Sequence, residues 1–453
     1  MAIWTPANPT TTARELAEAL ATDIGAGRLP PGTRLPPQRA LAHATGVSPN
    51  TVLRAYAEVT RRGLIGGEVG RGTFVRPPPA PPSPPLLRPE SGPIDLAQNL
   101  PFLAAAQPAL AATLAAIGNE PGLETYLDRM HSQIEARHRR SGATWLSLLG
   151  VPADPDRIII TCGAQHGVFA TLLALLRPGD TLLVERLTYA PLRAIAEHLA
   201  LRLVPLAMDE HGLVPAALAA ACRTARPAAL YCTPTLQTPT ATTMPEPRRR
   251  EIAAIAMEHQ LTIIEDDLFG LLPVSRPPPI AASAPDRTVL ISGLSKSVAP
   301  GLRVGYAQAP AAMVAPIRAA VALSCWAPPP LMAEIATRWI EDGTATELNA
   351  AQRAHATHRQ TMAHRLLRTP AAQGLHLWLP LPPPWTGKEF AAAANRAGVL
   401  LQPASAFLVG AGPAPAAVRI CLSHEPTDTR VAQGLETLAR LLAAPPEPIP
   451  LVI

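Results

Sequence analysis

From about residue 155 onward, short apolar runs alternate with alanine-rich stretches of helical spacing. The runs at 157–161, 181–185, 202–206, 228–232, 261–265 and 288–292 read as buried strands. Helices fall between them, the clearest at 248–259 behind a Pro-Glu-Pro turn. Strands alternating with helices predict a largely parallel α/β sheet covered on both faces. Such sheets bind ligands at the carboxyl ends of their strands. Beyond about 310 the pattern changes to long helices (331–342, 346–367) and short strands (375–379, 400–403, 418–422).

The first 75 residues follow another rhythm. Thr12 and Glu15 have capping-box spacing, and Leu16, Leu20 and Ile24 then repeat every four residues on one helical stripe. A proline- and glycine-bearing break leads to a second helix near 38–45, and Gly46 turns the chain. Ser48 as cap and Pro49 at the first helical position open a third helix. Val52, Tyr56 and Val59 form its buried stripe, with Asn50, Arg54 and Arg61 on the other side. Residues 68–75 read as a two-stranded wing. Helix, short glycine turn and helix is the helix-turn-helix layout.

Charge sharpens this picture. The net charge of +5 is modest for 453 residues, but its distribution is uneven. Between Arg28 and Arg71 seven arginines face only Glu58 and Glu68. A local excess of that kind suits neutralisation of duplex DNA phosphates; a small protein-interaction module with a solvated basic face is the competing reading.

The prolines number 54 and cluster at 76–93, where they exclude helix and interior strand and predict an extended spacer. The expected domains are 11–76, a linker at 77–93, a large domain at 94–310 and a small one at 311–445. Five cysteines without a C-x-x-C pair argue against a disulfide framework and against zinc, so no metal is expected. Without a signal-peptide layout or a membrane-spanning tract, the protein is expected in the cytoplasm, with no membrane partner. His355, His358 and His364 share one helix but lack a Cys or carboxylate cluster, and read as a polar face.

The candidate chemistry centres on residues 290–306. A buried strand ends in small residues, Lys296 follows, and Arg303 comes after a Pro-Gly break. Only two lysines occur, Lys296 and Lys388, in an arginine-rich chain. A lysine kept in that position points to a need for an amine, because a desolvated lysine can lose its proton and condense with an aldehyde while a guanidinium cannot. A solvated lysine at a strand end is the bland alternative. The other polar signals also follow strands. They are the Thr-Cys-Gly-Ala-Gln-His-Gly turn that opens a helix, Tyr189, the Thr-Pro-Thr-Leu-Gln-Thr-Pro-Thr loop and Glu265-Asp266-Asp267. Small residues at a helix start expose amides to an anion, and adjacent carboxylates need partners.

The Lys296 stretch resembles the lysine segment of fold-type I aminotransferases, and the likeness extends over roughly residues 95–445. It implies pyridoxal 5'-phosphate held as a Schiff base on Lys296, with Asp266 on the ring nitrogen and Tyr189 stacked on the ring. Ala164, Gln165 and Arg303 are then phosphate ligands, and Arg419, in Val-Arg-Ile-Cys-Leu-Ser, holds a substrate or effector carboxylate. The C-terminal helices and strands become the small domain. Three positions depart from the family. Thr238 replaces an asparagine and Phe269 a tyrosine, both partners of the phenolic oxygen, and Gly293 replaces a phosphate-binding serine, with Ser295 nearby. Losing both donors weakens the tuning of the cofactor, which a ligand sensor tolerates better than a catalyst.

Residues 11–76, with "TRLP", "PQRALA" and "GRGTFV", are similar to the winged helix-turn-helix of GntR-type regulators. That likeness implies DNA contacts from Arg34, Arg39, Ser48, Asn50, Thr51, Arg54 and Arg71, with Pro49 standing where the family has arginine. Reader first and aminotransferase-like body second is the order of the MocR regulators. The expected protein is therefore a homodimeric transcription regulator that binds an operator and senses an amine or amino acid. An active aminotransferase carrying a DNA-binding head is the alternative.

Overall fold

The computed structural model describes residues 4–7, 9–68, 72–76, 92–128, 132–370 and 372–443. The chain divides into two compact units, Met1–Pro89 and Glu90–Ile453, and the division falls within the expected linker. Arg71 and the proline-rich residues 77–91 lie outside the described residues.

In the first unit, helices Ala13–Gly25, Gln38–Thr45 and Pro49–Arg61 precede an antiparallel pair, Ile65–Glu68 with Gly72–Val75. The local signals act as expected. Thr12 and Glu15 close a capping box, and the Ser48 hydroxyl accepts the Thr51 amide at 3.1 Å. Gly46 turns with φ +73°, where a side chain would be strained. Leu16, Leu20, Leu41, Val52, Val59 and Ile65 form the core, and the buried Tyr56 hydroxyl donates to the Pro36 carbonyl at 2.9 Å. The wing begins at Ile65 rather than at 68, because Gly66 and Gly67 carry no side chains to show the alternation. The segment before the second helix joins it: the Leu35 amide donates to Thr73 and the Val75 amide to Thr33, at 2.8 and 2.9 Å.

The second unit is built on a seven-stranded sheet. Its order is Ile158–Thr161, Gly305–Gln308, Thr288–Gly293, Thr262–Asp266, Ala229–Cys232, Thr181–Glu185 and Arg202–Leu206. Gly305–Gln308 runs antiparallel to both neighbours, and the other described pairings are parallel. Successive residues point to opposite faces. Leu183, Leu230 and Ile263 enter one apolar cluster, while Leu182, Val184 and Ile264 enter another. Burial on both faces explains why these strands read as continuous apolar runs rather than as alternation. The expected strands recur to within a residue or two; Gly305–Gln308 was not expected.

A three-stranded antiparallel sheet, His376–Pro380, Ala417–Cys421 and Gln402–Pro403, forms a second layer with helices Thr344–Leu367, Gly387–Arg396 and Asp428–Ala443. The start of the unit is stitched into this layer. Ile94–Asp95 pairs in parallel with Val399–Leu400, and the Cys421 amide donates to the Leu96 carbonyl at 2.8 Å. Residues 94–96 thus associate with the C-terminal layer, although the expected division placed them with 94–310. Among the described residues no helix is long and apolar enough to cross a membrane.

One close approach positions the site. A β-carbon at Gly305 would lie 2.6 Å from the Gly163 carbonyl carbon and 2.8 Å from the Ala164 nitrogen. One at Gly293 would meet the Val304 carbonyl oxygen at 2.9 Å. Backbone thus touches backbone where the turn after Ile158–Thr161 meets the antiparallel strand. Gly305→Ala is expected to lower stability by about 1–3 kcal/mol, as overpacking against unyielding atoms does; the urea unfolding midpoint measures it.

Candidate functional site

The carboxyl ends of the strands converge on one cleft. It is lined by Lys296, Asp266, Tyr189, Arg303, Ala164, Gln165, Thr238, Ser295 and Arg419, all nine of the cofactor and effector candidates, together with Asn99, Leu100, Thr233, Leu268, Phe269 and Pro300. Residues 255 positions apart in the chain, Ala164 and Arg419, share it because each stands at a strand end or on a strand facing that end.

Lys296 sits three residues beyond the strand Thr288–Gly293, and its Nζ donates to the Asn99 carbonyl. Its Nζ also lies 5.8 Å from the centroid of the Phe269 ring. Burial pushes its pKa down to about 8, with Arg419 and Arg303 adding to the fall and Asp266 opposing it. A minor neutral fraction of amine, far larger than for a solvated lysine, therefore exists near neutral pH.

The three adjacent acids each have a separate partner. Glu265 accepts the amides of Ile280 and Ala281, both at 2.8 Å, and burial raises its pKa to about 7. Asp267 pairs with Arg276 at 2.9 Å. Asp266 alone of the three faces the cleft. Tyr231 donates its hydroxyl to one Asp266 oxygen at 2.8 Å, and burial pushes the carboxyl up to about 6.

The turn Cys162–Gly163 opens helix Ala164–Leu175, whose first amides lack partners within the helix. Arg303, itself at φ +51°, donates to the Cys162 carbonyl at 3.2 Å, so a guanidinium flanks those amides. This is the constellation an anion needs. Tyr189 donates to Gln165 at 2.9 Å, which holds its ring at the rim. Arg419 donates to the Ala97 carbonyl at 2.7 Å and lies 4.8 Å from the Phe407 ring centroid, while its Nε is buried without a partner among the described residues.

Five supporting residues were not singled out from the sequence. Glu185 accepts the Thr233 amide and hydroxyl and the Gln237 side-chain amide at 2.9–3.2 Å, and burial raises its pKa to about 7. Gln237 accepts from His376 through its backbone carbonyl at 3.2 Å. His376, pushed down to about 3 by burial, is neutral, so its other nitrogen accepts the Asn99 side-chain amide at 3.0 Å. With Tyr231 beside Asp266, this network fixes the cleft floor. Asn99 also leaves a buried Oδ1 without a partner among the described residues. Glu185 carried a legible signal, a carboxylate closing an apolar strand, and Gln237 lies in the Thr-Pro-Thr-Leu-Gln-Thr-Pro-Thr loop; Asn99, Tyr231 and His376 carried none.

The three helical histidines have unrelated partners: Phe102 stacks on His355, Asp428 pairs with His358, and the Thr369 carbonyl bonds His364.

On the first unit, Arg34, Arg39, Ser48, Asn50 and Arg54 are exposed and Thr51 is half-buried. The arginines there fall into two groups. Arg28 pairs with Asp23, Arg61 with Glu58, and Arg62 with Glu18 and Glu58. Arg34, Arg39 and Arg54 have no carboxylate partner among the described residues. Arg14 and Arg76 are likewise exposed without a carboxylate partner among the described residues, so the charge available to phosphates includes the candidate DNA contacts and extends beyond them.

Comparison with known proteins agrees with both halves. Residues 12–75 match the model of bacterial regulatory proteins of the gntR family, and residues 92–438 match aminotransferase class I and II. The chain belongs to the MocR-type regulators. It is 31% identical to the uncharacterized HTH-type transcriptional regulator YdeF of Bacillus subtilis, over 95% of this chain and 94% of that one. It is 28% identical to the regulator TauR of Rhodobacter capsulatus, over 86% and 88%. It is 31% identical to the pyridoxine biosynthesis regulator PdxR of Corynebacterium glutamicum, over 67% of each chain. The fold is that of an archaeal alanine:glyoxylate aminotransferase, with a TM-score of 0.71 at 21% identity, covering 78% of this chain and 91% of that one. It is shared with the α-aminoadipate aminotransferase LysN of Thermus thermophilus, with a TM-score of 0.70 at 22% identity over 78% and 92%. The protein is a DNA-binding transcription regulator with an aminotransferase-like unit.

The depressed amine of Lys296 gives a direct expectation. In a Lys388→Arg background, where Lys296 is the remaining lysine, amine labelling of cofactor-free protein should be half-maximal near pH 8. Asp266→Asn removes an opposing negative charge and should move that midpoint lower; peptide mass spectrometry across pH reads both.

Proposed function

We propose that this regulator binds pyridoxal 5'-phosphate on Lys296 and uses the cleft to sense an amine or amino acid. The observation that carries the reading is the cleft itself: a desolvated amine, a buried carboxylate, a helix start flanked by a guanidinium, and a second guanidinium meet in one cavity. Bound there, pyridoxal phosphate supplies an electrophilic carbon conjugated to an electron-withdrawing ring.

The residues fit the group. Lys296 offers the amine. Asp266, oriented by Tyr231, offers a carboxylate to a ring nitrogen, and its raised pKa in the absence of a cation is what such a partner would reverse. The helix start at Ala164 and Gln165, with Arg303 and Ser295, offers donors to a phosphate. Arg419, whose Nε has no partner among the described residues, offers its guanidinium to a carboxylate. Thr238 and Phe269 line the cleft where the family places two donors to the phenolic oxygen, so only one hydroxyl is offered there. Backbone within 2.9 Å of a β-carbon excludes the family's serine at Gly293 without rearrangement. These losses favour sensing over turnover.

The linkage to DNA binding begins at residues 94–99. Ala97 and Asn99 hold Arg419 and Lys296 through their carbonyls, and this segment directly follows the proline-rich stretch. With the cofactor on Lys296 its amine leaves the Asn99 carbonyl, an effector amine that exchanges with Lys296 gives that amine back, and an effector carboxylate on Arg419 competes with the Ala97 carbonyl, which biases the segment between two arrangements. The reading includes a cytoplasmic homodimer that places two readers on repeated half-sites.

Absorbance of purified protein and its Lys296→Ala variant, with a panel of amines and amino acids, tests the sensor. A visible Schiff-base band confined to the wild type, shifted by one compound without keto-acid release, is expected. No band overturns the cofactor assignment, and steady keto-acid production overturns sensing in favour of transamination. For the reader unit, Arg39→Ala and Arg54→Ala should each weaken binding to a short duplex and reduce the log–log salt slope by about 1. Arg61→Ala, already tied to Glu58, should change it little; fluorescence anisotropy against salt gives the slopes.

A further inference from the structure

Next to the turn that opens helix Ala164–Leu175 lies a cluster that the proposed reading does not use. Cys162 Sγ is 3.5 Å from Cys325 Sγ, and Cys325 Sγ is 4.0 Å from His166 Nδ1. One ligand atom from each of the three lies within 4.8 Å of the others. Cys162 stands between a strand and a helix, His166 is in the first turn of that helix, and Cys325 ends helix Ala311–Cys325.

A tetrahedral zinc with metal–sulfur bonds of about 2.3 Å and metal–nitrogen bonds of about 2.0 Å separates two sulfurs by about 3.8 Å and sulfur from nitrogen by about 3.5 Å. The separations found differ from these by small side-chain adjustments. The imidazole is already oriented. Ser324 Oγ is 2.7 Å from His166 Nε2 and donates its proton to the Ala320 carbonyl at 2.8 Å. The hydroxyl therefore accepts Nε2–H, and the lone pair lies on Nδ1, on the side of the cysteines. A histidine that donates its far nitrogen to a fixed acceptor is set in the tautomer a metal needs. Cys325 is exposed, so an ion has access.

We propose that Cys162, His166 and Cys325 form a site for a thiophilic divalent cation of the zinc class, with the fourth position open to solvent. Binding replaces the two thiol protons, which pass to solvent, and displaces the Cys162 amide proton that Nδ1 accepts at 3.0 Å. The ion would tie the Cys162–Gly163 turn to the end of helix Ala311–Cys325. The turn's carbonyl also holds Arg303, so the ion would stiffen the anion-binding corner of the cleft. The proposal stands whether or not a cofactor occupies Lys296.

Reduced, chelator-treated full-length protein titrated with Co(II) tests it. The expected result is one equivalent bound, with thiolate-to-cobalt charge transfer and tetrahedral d–d bands that Zn(II) abolishes. Cys325→Ser, at an exposed position, should weaken binding by more than about 100-fold, and Ser324→Ala, which frees the imidazole, by about 10-fold. Cys222→Ser, in a different apolar cluster, should leave it unchanged. The proposal fails if no such bands form, if they survive in Cys325→Ser, or if they vanish in Cys222→Ser. It also fails if the reduced protein takes up no cobalt while mild peroxide closes a Cys162–Cys325 disulfide, which would make the pair a redox couple instead.

Discussion

Taking a lysine amine out of water costs free energy, and the surroundings of Lys296 are arranged around that cost. The amine is bonded to the Asn99 carbonyl, two guanidiniums sit near enough to disfavour its proton, and one carboxylate favours it. The balance leaves the amine near the pH at which it can either hold a proton or react. Much of the second unit serves to hold these groups still. Asp266 is oriented by Tyr231 from the neighbouring strand, and Asn99 by a neutral His376 that is itself held by Gln237. Glu185 anchors the loop carrying Thr233 and Gln237. A parallel sheet suits this task because its strand ends lie side by side, each contributing one residue.

The corner that would hold an anion depends on glycine for a different reason. Gly163, Gly293 and Gly305 lie where three stretches of backbone approach closely, and Gly293 pairs with Gly305 across the antiparallel strands. The missing serine at Gly293 is therefore tied to the packing of Gly305–Gln308 and is more than a lost ligand. Together with Thr238 and Phe269, it leaves a cleft that keeps the groups for capturing a ligand and lacks several that tune its chemistry. Fewer tuning contacts with retained capture groups suit a protein whose output is a change of state.

What could be read from the chain depended on whether the signal was local. The strand 181–185 and the helix start at Ser48-Pro49 were legible because burial on two faces and capping leave short-range marks. Lys296, Asp266 and Arg419 were singled out through motif context; the parallel topology brings Lys296 and Asp266 to one cleft, whereas Arg419 reaches it from the antiparallel sheet of the second layer. Gly305–Gln308 escaped because Gly-Tyr-Ala-Gln has neither alternation nor an apolar run, although all four residues are buried. Tyr231 read as one more apolar residue of its strand. The sorting of arginines into paired and unpaired sets was invisible, since Arg62 finds Glu18 from 44 residues away. The meeting of Cys162 and Cys325 was invisible for the same reason, since 163 residues separate them and no local pattern records it.

The entry of the chain into the second unit gives these contacts a direction. Residues 94–96 are fixed by the strand Val399–Leu400 and by Cys421, so the segment is anchored in the layer that carries Arg419. Ala97 and Asn99, just beyond the anchor, accept from Arg419 and Lys296 through their carbonyls. An occupant of the cleft thus competes with backbone that is only a few residues from the proline-rich spacer. Loss of either carbonyl contact is therefore felt first at residues 97–99, because residues 94–96 are held by ladder bonds on their N-terminal side.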